Sequence, residues 1–246
     1  MTLLKKIKRI LFTPKIKGIE EDIFIQRLKS LVIGADMLHK GNIYLMEYAL
    51  KNMPSNGVVV EIGSYGGLST NLMLHLLQKN DRIEKLINCD PWIYEGADDR
   101  FGTESNTIDG RKDISREAYS NYMKNNFIHS IQFLHKNNLP HSFQLTSDEF
   151  FAEYDKKIIA KDIFNQTVQL GTQIAFAYID GNHEYEYVKR DFENVDKHLM
   201  ASGFILFDDS MDDSPFGSTT FMKEMKQHKN YRFIDKNPNY LFQKQV

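Results

Sequence analysis

The segment VVVEIGSYGG at residues 58–67 constrains the fold of this chain more than any other segment. Its apolar run predicts a buried strand, and the following LSTNLMLHLLQKN has helical periodicity, so the three glycines form a strand-to-helix turn. Glycines let the backbone approach a ligand closely, and the Glu61 carboxylate suits a ligand that carries positive charge. The segment therefore predicts a strand–turn–helix unit that binds a cationic small molecule.

Strand and helix patterns alternate along the rest of the chain. Further strands are predicted at residues 85–90, 141–146, 174–180 and 203–209, helices at 19–53, 115–127 and 185–199, and a hairpin at 231–244. This alternation is typical of an α/β fold. We expect a Rossmann-like, doubly wound and mainly parallel sheet with helices on both faces and a C-terminal antiparallel hairpin.

Length and charge narrow the class of protein. The 246 residues suffice for one sizeable core, and we expect a helical N-terminal extension at residues 1–50 and a main domain at 51–246 with an insertion at about 92–138. The net charge of −2 and the interspersed charges argue against a nucleic-acid partner and favour a small molecule. The single cysteine, Cys89, excludes an internal disulfide and fits a cytoplasmic location.

Residues 1–17, MTLLKKIKRILFTPKIK, are basic and amphipathic at helical spacing. No apolar run approaches the roughly 20 residues that a transmembrane helix needs. The segment has two interpretations: peripheral contact with an anionic membrane, or docking on its own domain or on a partner subunit. We expect a homo-oligomer.

Acids stand at the ends of four of the predicted strands. They are Glu61, Asp90, Asp180, Asp208 and Asp209. In an open parallel sheet, ligands bind beyond the carboxyl ends of the strands. Each acid alone is explained by a solvated strand end, but five converging carboxylates repel one another. The group predicts a ligand that is cationic, rich in hydroxyls, or both.

The glycine pattern distinguishes between cofactors. A dinucleotide fold uses G-x-G-x-x-G, but Tyr65 stands at the second of those glycines. The pattern E-x-G-x-x-x-G instead resembles motif I of class I S-adenosylmethionine-dependent methyltransferases. IDGNHEYEYVKRD and GFILFDDS are similar to the fourth- and fifth-strand motifs of small O-methyltransferases, grouped with macrolide and sugar methyltransferases and, more distantly, catechol O-methyltransferase. The resemblance covers roughly residues 40–246 and makes the main domain a methyltransferase domain.

The resemblance implies a set of residues that bind S-adenosylmethionine. Asp90 would bind the ribose hydroxyls, Ser147 and Asp148 the adenine, and Tyr65 and Ser69 the methionine end. Ser69 has an alternative role as a helix cap. The whole implied set is Glu61, Gly63, Tyr65, Gly67, Ser69, Asp90, Ser147, Asp148 and Asp180.

The resemblance also implies a magnesium site, because metal-dependent members hold the ion with acids at the positions of Asp180, Asp208 and Asp209. A hard divalent cation takes oxygen ligands and relieves the repulsion between carboxylates. It would lower the pKa of a substrate hydroxyl and orient it toward the sulfonium methyl. The alternative is that Asp208 or Asp209 caps the following helix.

Two residues are implied as catalytic, Asp180 and His183. His183 lies three residues after Asp180, where the catechol enzymes carry a catalytic lysine, and a histidine titrates near neutral pH. The pattern departs at Asn182, where sugar methyltransferases often have an acid. The alternative for His183 is a hydrogen-bonded structural role.

Acceptor choice is expected to depend on residues 92–138 and on the loop 211–218. Trp92, Tyr94, Arg100 and Arg111 are polar or aromatic groups that suit a sugar or sugar nucleotide. Trp92 has a plain alternative as a core residue. The predicted function is magnesium-assisted O-methylation of a sugar, glycan precursor or related polyhydroxyl molecule. The alternatives are a metal-independent methyltransferase acting on an amine or phosphate-like group, and a non-catalytic assembly subunit.

Overall fold

The computed structural model of the protein describes residues 22–34, 37–93 and 115–245. The predictions made for residues 1–17 and for Tyr94, Arg100 and Arg111 lie outside the described residues. Within them, no helix is both long and apolar enough to cross a membrane.

The described residues form seven helices and nine strands, numbered here in chain order. The helices are α1 (Ile23–Leu31), α2 (Lys40–Asn52), α3 (Leu68–Lys79), α4 (Arg116–Leu134), α5 (Ser147–Asp155), α6 (Tyr185–Asp196) and α7 (Gly217–Met225). The strands are β1 (Val58–Ile62), β2 (Leu86–Cys89), β3 (His141–Phe143), β4 (Ile159–Lys161), β5 (Thr167–Gln169), β6 (Ile174–Ile179), β7 (Leu199–Phe207), β8 (Tyr231–Lys236) and β9 (Tyr240–Lys244).

Seven strands form one sheet in the order β3-β2-β1-β6-β7-β9-β8. The first five strands are parallel to one another, whereas β9 runs antiparallel to both β7 and β8. Because β1 pairs with β2 on one side and β6 on the other, the sheet changes winding direction at β1, where ligands bind in such folds. The predicted doubly wound sheet with its C-terminal hairpin is confirmed.

The central strands are buried on both faces because helices cover the sheet on both sides. β1 and β6 are buried along their whole length, and their side chains divide between two apolar clusters. In α2, Leu45, Met46 and Leu50 belong to the cluster that also contains Val59 of β1. Helix α2 therefore shares the core of the sheet.

Two details differ from the sequence prediction. The single helix expected at residues 19–53 is wrong: α1 and α2 are separate, and Gly34 between them has φ 79°. The antiparallel pair β4–β5 was not predicted, because strands of three residues are too short to show a periodicity.

Candidate functional site

The carboxyl ends of the parallel strands open into a cleft of about 730 Å³. Backbone hydrogen bonds extend the strand pairing by one residue into this cleft: Asp180 N–H donates to Ile62 O and Asp208 N–H to Ile179 O, both at 2.9 Å. Seven residues of the implied cofactor set line the cleft. They are Gly63, Tyr65, Ser69, Asp90, Ser147, Asp148 and Asp180.

Two glycines shape the turn after β1. Gly63 has φ 84°, and a Cβ there would lie 2.1 Å from the carbonyl oxygen of Asp180, so only glycine lets the β1 turn touch the end of β6. Gly67 has φ 91° and is the N-cap of α3. It lies behind the cleft rather than in its lining, so its part in the site is to fix the turn.

Asp90 ties the end of β2 to the glycine turn. Its Oδ2 accepts the backbone N–H groups of Ser64 and Tyr65, each at 2.8 Å, and its Oδ1 accepts that of Trp92 at 2.6 Å. Burial raises the pKa of this carboxyl, and the three backbone donors oppose that rise. Asp90 therefore presents a fixed carboxylate to the cleft, in a position to accept hydrogen bonds from a diol.

Glu61 does not lie in the cleft, contrary to the expectation that it faces a cationic ligand. Its side chain is fully buried and accepts hydrogen bonds from Ser69, from Thr70 at 2.5 Å and from Ser64 at 3.2 Å. Burial raises its pKa to about 7, although these hydroxyl donors favour the charged form. Glu61 thus stabilises the glycine turn through these hydrogen bonds, on the side away from the cleft.

Ser69 is the second residue of α3, whose N-cap is Gly67, so the capping alternative for Ser69 is wrong. The Ser69 hydroxyl donates to Glu61 while the residue also lines the cleft. Tyr65 has φ 45°, and its hydroxyl contacts that of Tyr119 on α4. The turn is therefore tied to α4.

The far end of the cleft is formed by the start of α5 and by α6. Thr146 caps α5 in a capping box with Glu149, which orients Ser147 and Asp148 toward the cleft. Asp148 pairs with Arg190 Nε at 3.1 Å. Arg190 was not predicted, and it is the one Lys or Arg among the described residues that line the cleft.

Asp191 is a further cleft residue that the sequence prediction missed. It is 3% exposed, receives a hydrogen bond from Ser147 and lies on the buried stripe of α6 with Val188, Phe192 and Val195. An acid in a helix's apolar stripe was the available signal. Burial raises the pKa of Asp191 to about 7.

The raised pKa of Asp191 predicts a pH dependence of stability. Between the ordinary pKa of 3.8 and about 7 the folded state holds a proton that the unfolded state releases, so stability falls as pH rises through this range. The free energy of unfolding of Asp191→Asn at pH 8 should therefore exceed that of the natural chain by roughly 4 kcal/mol, and this difference should nearly vanish at pH 4.

Urea titrations across pH 4–8 measure this effect. Glu193→Gln, an exposed change on the same helix, is the matched control and should show no comparable gain. An equal pH slope for Asp191→Asn and the natural chain would contradict the assignment.

The three acids implied as metal ligands meet at the edge between β6 and β7. Burial, and next the neighbouring Asp208, raise the pKa of Asp180 well above its usual range. Asp208 is 7% exposed, and its Oδ1 accepts amide hydrogens from Asn42 and, at 2.8 Å, from Asn239. Helix α7 is capped at Phe216 with no side-chain bond, so the capping alternative for Asp208 and Asp209 is wrong.

The donor chemistry of these acids, carboxylate oxygens, is the kind that a hydrated hard cation takes. Among the described residues, no group of three or more His, Cys, Asp or Glu side chains is arranged so that it could hold a metal ion. Magnesium does not require such a group, because it keeps several waters and uses one or two carboxylates. Burial and then repulsion from Asp208 disfavour the charged form of Asp180, and either a proton or a bound cation would relieve that cost.

His183 lies beside these acids. Its Nε2 is 3.5 Å from Asp209 Oδ2 and 3.9 Å from Asp180 Oδ1, and its ring packs against Phe216. Asn182, the position that departs from the sugar-enzyme pattern, accepts the Glu184 N–H at 2.9 Å in the turn before α6. The imidazole is held in the cleft next to the acidic edge.

Only part of the region expected to choose the acceptor lies within the described residues, namely 92–93, 115–138 and 211–218. None of residues 211–218 lines the cleft, whereas apolar Met37 and Leu38, from the segment before α2, do. Trp92 is 6% exposed, packs against Phe127 and donates from Nε1 to Tyr65 O at 3.0 Å. Trp92 is thus a core residue with one edge in the cleft.

The strand order and the cleft at the β1 switch point define the class I S-adenosylmethionine-dependent methyltransferase fold. The family model Methyltransf_24, described as a methyltransferase domain, matches residues 60–210, and the chain belongs to this family.

Sequence identity to individual relatives is low. An uncharacterized protein of Acanthamoeba polyphaga mimivirus is 28% identical over 153 residues, which are 62% of this chain and 51% of the viral protein. This chain thus matches about half the length of that relative.

Solved O-methyltransferases share the fold. NovP aligns over 91% of this chain and 98% of its own, with TM-score 0.53 and 13% identity. An O-methyltransferase from Bacillus cereus, solved with S-adenosylhomocysteine, aligns over 100% and 98% with TM-score 0.53 and 11% identity. The calicheamicin methyltransferase CalS11 aligns over 98% and 90% with TM-score 0.52 and 17% identity. At these identities the likeness establishes the fold alone.

Proposed function

We propose that the chain transfers a methyl group from S-adenosylmethionine to a hydroxyl of a sugar or related polyhydroxyl molecule with the help of a divalent cation, magnesium foremost. The observation that carries the proposal is the acidic edge of Asp180, Asp208 and Asp209 with His183 beside it, in the same cleft as Asp90.

The cofactor half of the proposal rests on Asp90 and on the charge of the cleft. The carboxylate fixed by three backbone donors suits the two ribose hydroxyls, and Ser147 and Asp148 suit the adenine. A sulfonium is favoured because, among the described cleft residues, Arg190 is the one Lys or Arg and is itself paired with Asp148. A pyrophosphate would meet carboxylates instead.

The acceptor half rests on the acidic edge. His183 would accept the hydroxyl proton, the oxygen would form a bond to the methyl carbon, and the carbon–sulfur bond would break to leave S-adenosylhomocysteine. Asp180, Asp208 and Asp209 would hold the cation, which lowers the pKa of the bound hydroxyl. CalS11 is described as a TDP-rhamnose 3'-O-methyltransferase, which supports a sugar acceptor, while Met37 and Leu38 add an apolar wall to the cleft.

The test is a methyl-transfer assay with labelled S-adenosylmethionine against a panel of nucleotide-activated sugars. EDTA should remove the activity, and Mg²⁺ should restore it, because the cation would hold the acceptor hydroxyl and lower its pKa in the proposed reaction. Calcium and manganese are the comparison ions. Transfer that is unaffected by EDTA would exclude the metal and favour an amine or phosphate-like acceptor.

Cofactor binding without transfer to any acceptor would favour the remaining alternative, a non-catalytic subunit. We also propose that the enzyme is cytoplasmic and forms a homo-oligomer.

A further inference from the structure

Two asparagines outside the matched domain region hold the carboxylate of Asp208. Asn42 comes from the first turn of α2, and Asn239 lies immediately before β9. Their side-chain amides both donate to Asp208 Oδ1, and Asn239 Nδ2 also donates to Asn42 Oδ1 at 3.0 Å. All three side chains are buried, with Asn42 at 0% and Asn239 at 1% exposure.

Backbone N–H groups fix the direction of the Asn239 amide, and Asn239 in turn fixes the direction of the Asn42 amide. Asn239 Oδ1 accepts the N–H groups of Ser210 and Met211 at 3.0 and 3.1 Å, so its NH₂ group must point the other way, toward Asp208 and Asn42. The side-chain oxygen of Asn42 accepts the hydrogen bond from Asn239, so the NH₂ group of Asn42 points to Asp208. Every connection in the group is a donor facing an acceptor, as a buried polar network requires.

The same two segments are packed backbone to backbone. A Cβ on Gly41 would lie 1.5 Å from the carbonyl oxygen of Asn237, so α2 and the β8–β9 turn touch at a position where only glycine fits. Ser210 joins the group: its Oγ donates to Phe207 O at 2.7 Å and accepts the Tyr240 N–H at 2.9 Å. The turn after β7 is thereby held on two sides.

We propose that Asn42 and Asn239 are positioning residues that orient the Asp208 carboxylate for the cation of the proposed reaction. Because both amides occupy Oδ1, the other oxygen, Oδ2, stays available to the acidic edge. The family match covers residues 60–210, so on this proposal α2 and the β8–β9 turn complete a site that the matched region alone does not hold in place. The inference rests on the proposed function.

The test measures binding of Mn²⁺, used as a spectroscopic substitute for magnesium, by electron paramagnetic resonance in the presence of S-adenosylhomocysteine. Loss of a side chain that orients a metal ligand typically weakens metal affinity about 10–100-fold. Asn42→Ala and Asn239→Ala should each weaken Mn²⁺ binding to this degree. The affinity for S-adenosylhomocysteine should stay as in the natural chain, because neither residue lines the cleft.

Asn52→Ala, at the exposed end of the same helix, is the matched control and should leave both affinities unchanged. If Asn239→Ala fails to fold, Asn42→Ala alone still tests the positioning role. This variant keeps the hydrogen bonds from Ser210 and Met211 to Asn239, and alanine is a good helix former in α2.

Three results are informative. Weaker Mn²⁺ binding with unchanged S-adenosylhomocysteine binding supports the positioning role. Unchanged Mn²⁺ binding in both folded variants overturns it and leaves the proposed function intact. A natural chain that binds S-adenosylhomocysteine but no Mn²⁺ overturns both the positioning role and the metal-assisted mechanism.

Discussion

Asp90→Ala is expected to weaken binding of S-adenosylhomocysteine by about 10²–10⁴-fold. The carboxylate would accept two hydrogen bonds from the ribose, and hydrogen bonds to a charged group contribute about 1.5–3 kcal/mol each. The same substitution also releases the N–H groups of Ser64 and Tyr65 that shape the glycine turn. Isothermal calorimetry measures the effect.

Asp155→Ala is the control for this experiment, because Asp155 is an exposed acid on α5 that pairs with His198 outside the cleft. Its affinity should match that of the natural chain. Unchanged binding in a folded Asp90→Ala variant would contradict the assignment of Asp90 to the ribose.

His183→Ala is expected to lower kcat by about 10²–10⁴, the usual contribution of a general base. The affinity for S-adenosylhomocysteine should change little, because His183 is not among the residues implied to bind the cofactor and its nearer acidic partner is Asp209. The measurement is kcat with saturating acceptor, combined with calorimetry on the same preparation.

His129→Ala, on the exposed surface of α4, controls for loss of an imidazole elsewhere. A kcat for His183→Ala equal to that of the natural chain would make His183 a structural residue and move the base to another group. A parallel loss of cofactor affinity would instead indicate a disturbed cleft.

The sheet was predictable because its strands are short, apolar and separated by helical patterns. VVVEI and IAFAYI are buried on both faces of the sheet, and such strands show up in sequence as continuous apolar runs. The acids after them were predictable for the same reason, since parallel strands end at one edge. The sequence thus indicated which residues meet.

What the sequence did not show is which way a side chain turns and which distant residue it meets. Glu61 follows the same pattern as Asp90, yet three hydroxyls from its own turn and helix hold it away from the cleft. Asn42 and Asn239 are far apart in the chain and meet at Asp208 only because the hairpin returns to the sheet beside β7. Neither local periodicity nor composition encodes such a contact.

The position of β9 between β7 and β8 has a consequence for how the chain matures on the ribosome. β7 is synthesised well before β9, and until β9 emerges the open edge of β7 exposes unpaired backbone groups together with the apolar side chains of FILF. Such an edge is a template for aggregation. A nascent chain stalled after β7 should therefore bind chaperones. Release of the chain from a chaperone would coincide with the pairing of β9, which also brings the preceding Asn239 to the acidic edge.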